Sequence, residues 1–338
     1  MQNILIVRFS SLGDIILTEP IVRQLRQIYP DAKIHFLTKV RFGEVAAMMA
    51  DVDEIHQWES EATEKALIQK LREVDFDLTV DLHNNIRSTK IRAAIGAQWV
   101  YTRKEWVARM ASVRMRWLKL QPSHAIDRYA GALKSLGHTL EFKNPQLVVR
   151  SEDAALWQKQ RHEFGIDGDY CCIAPGAAHE TKRAPNELWA QIAQLVREKL
   201  NLRVVLIGSP NERELVLELQ RLIGENCIGT LNSERIGITA AAIAGARFVF
   251  SNDSGAAHLA AALGKPVVAL FGPTHPILGF APRGVRAGLY TVNEYCSPCS
   301  LHGKRPCHRD QRYCFGKMKA DEIVGQILEL MNKTVETN

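Results

Sequence analysis

Short runs of β-branched and apolar residues alternate with helical patterns from the start of this chain, and that alternation restricts the fold to one class. Ile4–Phe9, Ile34–Thr38, Glu54–Trp58 and Leu78–Leu82 read as strands. Ile15–Ile28, Lys65–Glu73 and a segment near Arg87–Ile95 read as helices. Strands interleaved with helices call for a parallel sheet covered on both faces, because a parallel pair needs a long crossover and the crossover helix shields the sheet. After Arg150 the pattern begins again, with strands at Tyr170–Ala174, Arg203–Ile207, Cys227–Gly229, Phe248–Ser251 and Val267–Phe271. Helices near Glu187–Lys199, Glu212–Leu222, Ile238–Ala244 and Ala256–Leu263 separate them, and Ala320–Met331 reads as a terminal helix.

Two successive doubly wound, Rossmann-like α/β domains follow, at 1–150 and 151–338, joined by the turn-rich Glu141–Pro145. With 338 residues, 46% of them hydrophobic, each domain has enough chain for its own core. Two such domains facing one another would line a central cleft with the carboxyl ends of both sheets, so the chemistry is expected on strand-to-helix loops.

The net charge of +6, from 43 basic and 37 acidic residues, is too small an excess to mark a nucleic-acid binder. No apolar run approaches the length of a membrane span, and the run Ile4 to Val7 is cut by Arg8 and Asp14. The expectation is a soluble, cytoplasmic protein. Cys171, Cys172 and Cys227 lie in apolar strand-like runs and read as small buried hydrophobes.

Three loops carry candidate chemistry. Ser10-Ser11-Leu12-Gly13-Asp14 connects the first strand to a helix and holds a single glycine, so the three-glycine dinucleotide fingerprint of a nicotinamide oxidoreductase is absent. Asp14 there either caps the helix or accepts a proton from an attacking hydroxyl. The segment Phe248 to Pro266 runs from a buried strand through Asp253-Ser254-Gly255 into a helix bearing His258. The helix amides offer an anion site suited to a pyrophosphate; the bland reading is that Asp253 or Ser254 merely caps and that His258 is structural. The segment Ala174 to Trp189 contains Gly176, Thr181, Lys182 and Arg183 before a helix expected to be capped by Asn186. Its basic pair is either solvated or supplies the cation that a departing diphosphate needs.

These loops, and above all Ile4 to Pro20 and Asn252 to Thr274, resemble the heptosyltransferases of lipopolysaccharide core assembly, glycosyltransferase family 9 with the GT-B fold. The resemblance spans nearly the whole chain. It implies an amino-terminal acceptor domain and a carboxyl-terminal nucleotide-sugar domain, with ADP-heptose as donor and a phosphorylated glycolipid (Kdo–lipid A or the heptosyl inner core) as acceptor. It implies inverting transfer in one displacement, with Asp14 as base and Lys182 on the leaving phosphate, and no required cofactor. Gly176, Thr181, Lys182, Glu212, Asp253, Ser254, Gly255 and His258 would contact the donor; Arg8, Ser10, Ser11, Gly13, Arg109 and Arg116 would contact the acceptor. Glu212 stands two positions after the place where some members carry an acidic ribose contact. Readings from other classes are a sugar-nucleotide epimerase or hydrolase of this fold, and a catalytically silent glycolipid binder.

Residues 103–119 carry Arg103, Lys104, Arg109, Arg114, Arg116 and Lys119 against Glu105 alone. As a helix they align Trp106, Met110, Val113 and Trp117 on one stripe. That stripe is either core or, with its flanking arginines, a peripheral contact with the anionic inner face of a membrane. Asp51-Val-Asp53 and Asp75-Phe-Asp77 mimic paired-acid metal motifs but flank expected strands. Cys296, Cys299, Cys307 and Cys314, spaced C-x2-C-x7-C-x6-C with His302 and His308 among them, permit a structural zinc site, with reduced thiols or a disulfide as alternatives.

Overall fold

A computed structural model of the chain describes residues 1–115, 117 and 120–333. They form two compact units, one of Met1–Trp106 with Ser123–Val148, the other of the described part of 107–122 with the chain from Val149 onward.

The first unit is built on five strands, β1 (Asn3–Val7), β2 (Lys33–Lys39), β3 (Glu54–Trp58), β4 (Leu78–Asp81) and β5 (Gln98–Tyr101). They lie in the order β3-β2-β1-β4-β5, every pair parallel. Ile4, Leu5, Ile6 and Val7 of central β1 are all fully buried, as a strand with helices on both faces must be. Leu5, Val7, Leu37, Leu71, Phe76 and Ile91 make one side of that core. The chain builds outward from β1 to β3, then crosses back for β4, so strand order reverses between β1 and β4. A crevice opens at such a reversal because the two neighbouring crossovers leave on opposite faces.

The second unit has six strands, β6 (Tyr170–Ala174), β7 (Arg203–Gly208), β8 (Cys227–Asn232), β9 (Val249–Asn252), β10 (Val267–Phe271) and β11 (Ala287–Thr291). Their order is β11-β10-β9-β6-β7-β8, again all parallel, with the reversal between β6 and β9. Trp189, Phe248, Phe250 and Phe315 fill its core together with Ile323 and Ile327 of the terminal helix Ala320–Asn332.

Several expectations need correction. The single helix expected over Ile15–Ile28 is two, Leu12–Ile16 and Glu19–Ile28. Pro20 has no N–H to continue the ladder, and the Thr18 hydroxyl closes the first helix on the Ile15 carbonyl at 2.6 Å. Edge strands β5 and β11 and the helices Ala125–Lys134 and Ser151–Glu163 were not foreseen. In β5 only Val100 is buried, so no apolar run announces it. Asn186 is the first helical residue and Pro185 precedes it as the cap. The basic segment forms a helix over Trp106–Arg114, but its stripe is not a core face: Val113 is buried, whereas Trp106 and Trp117 are 61% and 74% exposed. Arg116 and Lys119 lie outside the described residues.

Candidate active site

At the reversal of the first sheet, the Arg8 guanidinium crosses from β1 to the neighbouring loop. It donates to the Leu82 carbonyl at 2.5 Å and to that of Ser10 at 2.8 Å. Its remaining Nη2 lies 2.8 Å from Oδ1 of Asp14. Oδ1 also accepts from the Tyr129 hydroxyl at 3.1 Å, and Oδ2 accepts from the Ser11 N–H and hydroxyl at 3.1 and 2.7 Å. Asp14 therefore caps its helix through one oxygen while the other faces a cation and a phenol, so the structural and the chemical readings occupy different atoms. Burial pushes the Asp14 carboxyl up, but the Arg8 charge and the hydrogen bonds from Ser11 and Tyr129 outweigh it and hold the group at about 2. The carboxylate is ionised at any working pH. His83, on the loop after β4, packs edge-on to Phe9, and burial with the charges of Arg8, Lys104 and Arg87 lowers it to about 3. It is neutral.

Of the residues expected to contact an acceptor, Arg8, Ser10, Ser11 and Gly13 meet on this loop. Arg109 belongs to the second unit, where its guanidinium stacks over the Phe280 ring 4.4 Å from the centroid.

At the reversal of the second sheet, Asn252 ends β9 and ties it to the loop after β6. Its Nδ2 donates to the Pro175 carbonyl at 2.6 Å and its Oδ1 accepts from the Ala184 N–H at 3.0 Å. Asp253 does not cap the following helix. Its Oδ2 lies 2.7 Å from Lys182 Nζ and accepts from the Thr274 hydroxyl at 2.7 Å. Ser254 is the cap of the helix Gly255–Ala262, accepting from the Ala256 N–H at 3.3 Å, and its hydroxyl is shared with that of Ser251 at 3.0 Å. His258 is buried one turn in. Lys182 is thus neither solvated nor alone, and its ammonium has two further donors for an anion. Arg183 turns the other way, to the Ala177 carbonyl at 3.3 Å.

Gly176 leaves room for the Glu212 carboxylate. Glu212, held by the Ser209 N–H and hydroxyl at 2.9 and 2.8 Å, lies so close over it that a Cβ would come within 2.1 Å of Oε1. Thr181 donates to the Gly303 carbonyl on the cysteine-bearing loop. Tyr129, Asn252, Thr274 and Gly303 were missed as site residues. Thr274 closes the sequence segment that carries the resemblance, but Tyr129 lies 115 positions from Asp14 and nothing local points to it.

The paired acids serve the strands. Asp53 accepts from the Ile34 N–H and pairs with Arg26, and Asp77 accepts from the N–H groups of Gln2 and Asn3. Among the described residues, His35, Glu54 and His56 form one group with metal-capable atoms close together. The two rings are tilted by only 12°, with centroids 5.2 Å apart and Nδ1 to Nε2 at 3.0 Å. That is an N–H···N bond along the line joining the rings. An ion about 2 Å from both nitrogens would sit off that line, away from both lone pairs. Burial first, then the neighbouring His35, lowers His56 to about 4, so that ring is neutral.

The model of "Glycosyltransferase family 9 (heptosyltransferase)" matches residues 65–307. Lipopolysaccharide heptosyltransferase 1 of Pseudomonas aeruginosa is 26% identical over 367 residues, covering 99% of each chain. Its Escherichia coli K12 counterpart is 27% identical over 81% of this chain and 89% of its own. Among solved structures, a family 9 glycosyltransferase from Veillonella parvula superposes with a TM-score of 0.80 at 23% identity, covering 98% of this chain and 97% of its own. The Escherichia coli heptosyltransferase WaaC with ADP superposes at 0.71 and 22% identity, covering 97% of this chain and all of its own. The two parallel-sheet units are those of the GT-B fold.

Proposed function

Because this chain belongs to glycosyltransferase family 9, we propose that it moves a heptose from ADP-heptose to the Kdo–lipid A or heptosyl inner core of lipopolysaccharide, inverting the anomeric centre in one metal-independent displacement. The reading is supported by a lipopolysaccharide heptosyltransferase 1 that matches 99% of this chain, and ADP in a solved relative supports adenosine diphosphate as leaving group.

The observation that carries it is Asp14, a carboxylate held ionised at neutral pH at the first sheet's reversal, matched at the second by Lys182 on Asp253 before a capped helix. In this reaction the acceptor oxygen forms its bond to the anomeric carbon as the bond from that carbon to the β-phosphate oxygen breaks. The acceptor's proton passes to Asp14, and the electron pair leaves with ADP. The four acceptor positions of Asp14 are filled by Arg8, Tyr129 and two donors of Ser11, so proton uptake requires one of them to give way. Lys182 and the amides at Ser254 and Gly255 oppose the charge growing on the diphosphate, the role a metal ion fills elsewhere. The first unit would take the acceptor through Arg8 and its loop. The second would take the donor over Gly176, Thr181, Glu212, Asp253, Ser254, Gly255 and His258.

No helix among the described residues is long and apolar enough to cross a membrane. Exposed Trp106, Val107 and Trp117, with exposed Arg103, Lys104 and Arg114 in the same segment, support peripheral contact with an anionic membrane face. A metal on the cysteine-bearing loop would be structural.

Incubation of ADP-heptose with deacylated Kdo–lipid A, and in parallel with the heptosyl inner core, scored for product and released ADP, tests the reading. Product from the wild type and none from Asp14→Ala is expected. Undiminished transfer by Asp14→Ala would remove that residue from its role, and no transfer by wild type to either acceptor would remove the activity.

A further inference from the structure

We propose that Cys296, Cys299, Cys307 and Cys314 together bind one tetrahedrally coordinated, thiolate-preferring metal ion, zinc above others, and that this ion fixes the loop gripping the Lys182 turn. All four side chains line a single cavity of about 20 Å³, with Gly272, Pro273 and Thr181 also on its wall. That is room for one atom-sized occupant and little more. All seven cysteines of the chain are thiols.

The loop has little else to hold it. Between Thr291 and the one-turn helix Tyr313–Gly316 it contains no regular element, and it is rich in Pro, Arg and His. A segment of that composition buries too little apolar surface to offset the entropy of ordering it, which is the circumstance in which a metal serves as staple. The N–H groups of Cys299 and Ser300 both donate to the Pro273 carbonyl, at 3.0 and 3.1 Å, so the first cysteine pair is tied to the segment that follows β10.

Charge points the same way. Four thiols binding a divalent ion release four protons and leave a tetrathiolate complex of charge −2. Arg305, Arg309 and Arg312 all line the cavity, and Arg309 Nη1 lies 3.9 Å from Cys296 Sγ. Such cations are the outer-shell partners that a doubly negative complex requires.

As they stand, no three of the sulfurs lie within 4.8 Å of one another. A zinc with Zn–S of about 2.3 Å has S···S edges of about 3.8 Å. Coordination therefore draws the thiols inward, into the cavity they already surround.

The consequence reaches the donor-side loop. Thr181 donates to the Gly303 carbonyl, and Gly303 sits so close to the Lys182 stem that a Cβ would come within 2.4 Å of its Cγ. Arg312 donates to the carbonyls of Glu180 and Arg183 at 3.3 and 2.8 Å. The loop holds the turn that carries Lys182 from both ends.

The test measures metal directly and does not depend on the proposed transfer. Tag-free full-length protein, purified under reducing conditions without chelator, is analysed for metal content and reconstituted with cobalt(II). One zinc per chain is expected, with thiolate-to-cobalt charge-transfer absorption and tetrahedral d–d bands in the cobalt form. Both should be lost in Cys299→Ser/Cys314→Ser and kept in Cys227→Ser. Iron in the same stoichiometry and with the same cysteine dependence upholds the tetrathiolate site and changes only the metal. If the double variant fails to fold, the wild-type cobalt spectrum decides. A wild type that binds neither zinc nor cobalt, or a double variant that keeps its full metal content, overturns the proposal.

Discussion

The Lys182 ammonium lies 2.7 Å from Oδ2 of Asp253, and the Thr274 hydroxyl donates to that same oxygen at the same distance. One carboxylate oxygen thereby aims a lysine from one loop with a threonine from another. Lys182→Ala is expected to lower kcat by about 10²–10³, the usual cost of removing a group that stabilises leaving-group charge. Asp253→Asn leaves the lysine present but unaimed and should raise the donor KM more than it lowers kcat. Steady-state kinetics of ADP release distinguish the two; an unchanged kcat in Lys182→Ala would take the cation off the leaving group.

Asp14→Asn keeps the size of the side chain and removes its ability to take a proton. A loss of about 10²–10⁴ in kcat is expected, the contribution of a positioned general base. The variant's folded state should be intact by circular dichroism. A loss below tenfold would mean that the proton leaves by another route.

The same carboxylate predicts a pH dependence of stability. Its folded-state value of about 2 lies below its ordinary 3.8, so it binds fewer protons folded than unfolded across that interval. The stabilisation, on the order of 2 kcal/mol, is present in full above pH 3.8 and lost as the pH falls toward 2. The melting-temperature gap between wild type and Asp14→Asn should be constant from neutrality down to about pH 5 and close on further acidification. A gap that widens in acid reverses the assigned sign.

Gly303 has φ +78°, and a Cβ there meets the Lys182 stem. Gly96 has the same φ with nothing within 4 Å. Ala at either position carries the strain of left-handed backbone, about 1–2 kcal/mol. Only Gly303→Ala should raise the donor KM. Equal kinetics for the two variants in donor titrations would separate the loop from Lys182.

Trp106→Ala/Trp117→Ala removes the two exposed indoles of the basic segment. Weaker sedimentation with anionic phospholipid vesicles is expected, with no change against zwitterionic ones. Unaltered partitioning would leave that surface without a membrane role.

The two parallel sheets were legible along the chain because a strand buried on both faces must be apolar throughout, as Ile4–Val7 and Tyr170–Ala174 are. The placement of Asp14, Lys182 and Asp253 on strand-to-helix loops was legible for a related reason: each follows such a strand, and loops at carboxyl ends are where these sheets expose polar groups. The edge strand Gln98–Tyr101 was not, since exposure on its outer side removes the apolar signal. Nor were the partners. Tyr129 on Asp14, Thr274 on Asp253, Phe280 under Arg109 and Gly303 against Lys182 join residues from separate stretches of chain. Local composition determines which segments bury themselves, whereas a contact of about 3 Å between distant segments depends on how the buried elements pack; the folded chain alone decides that.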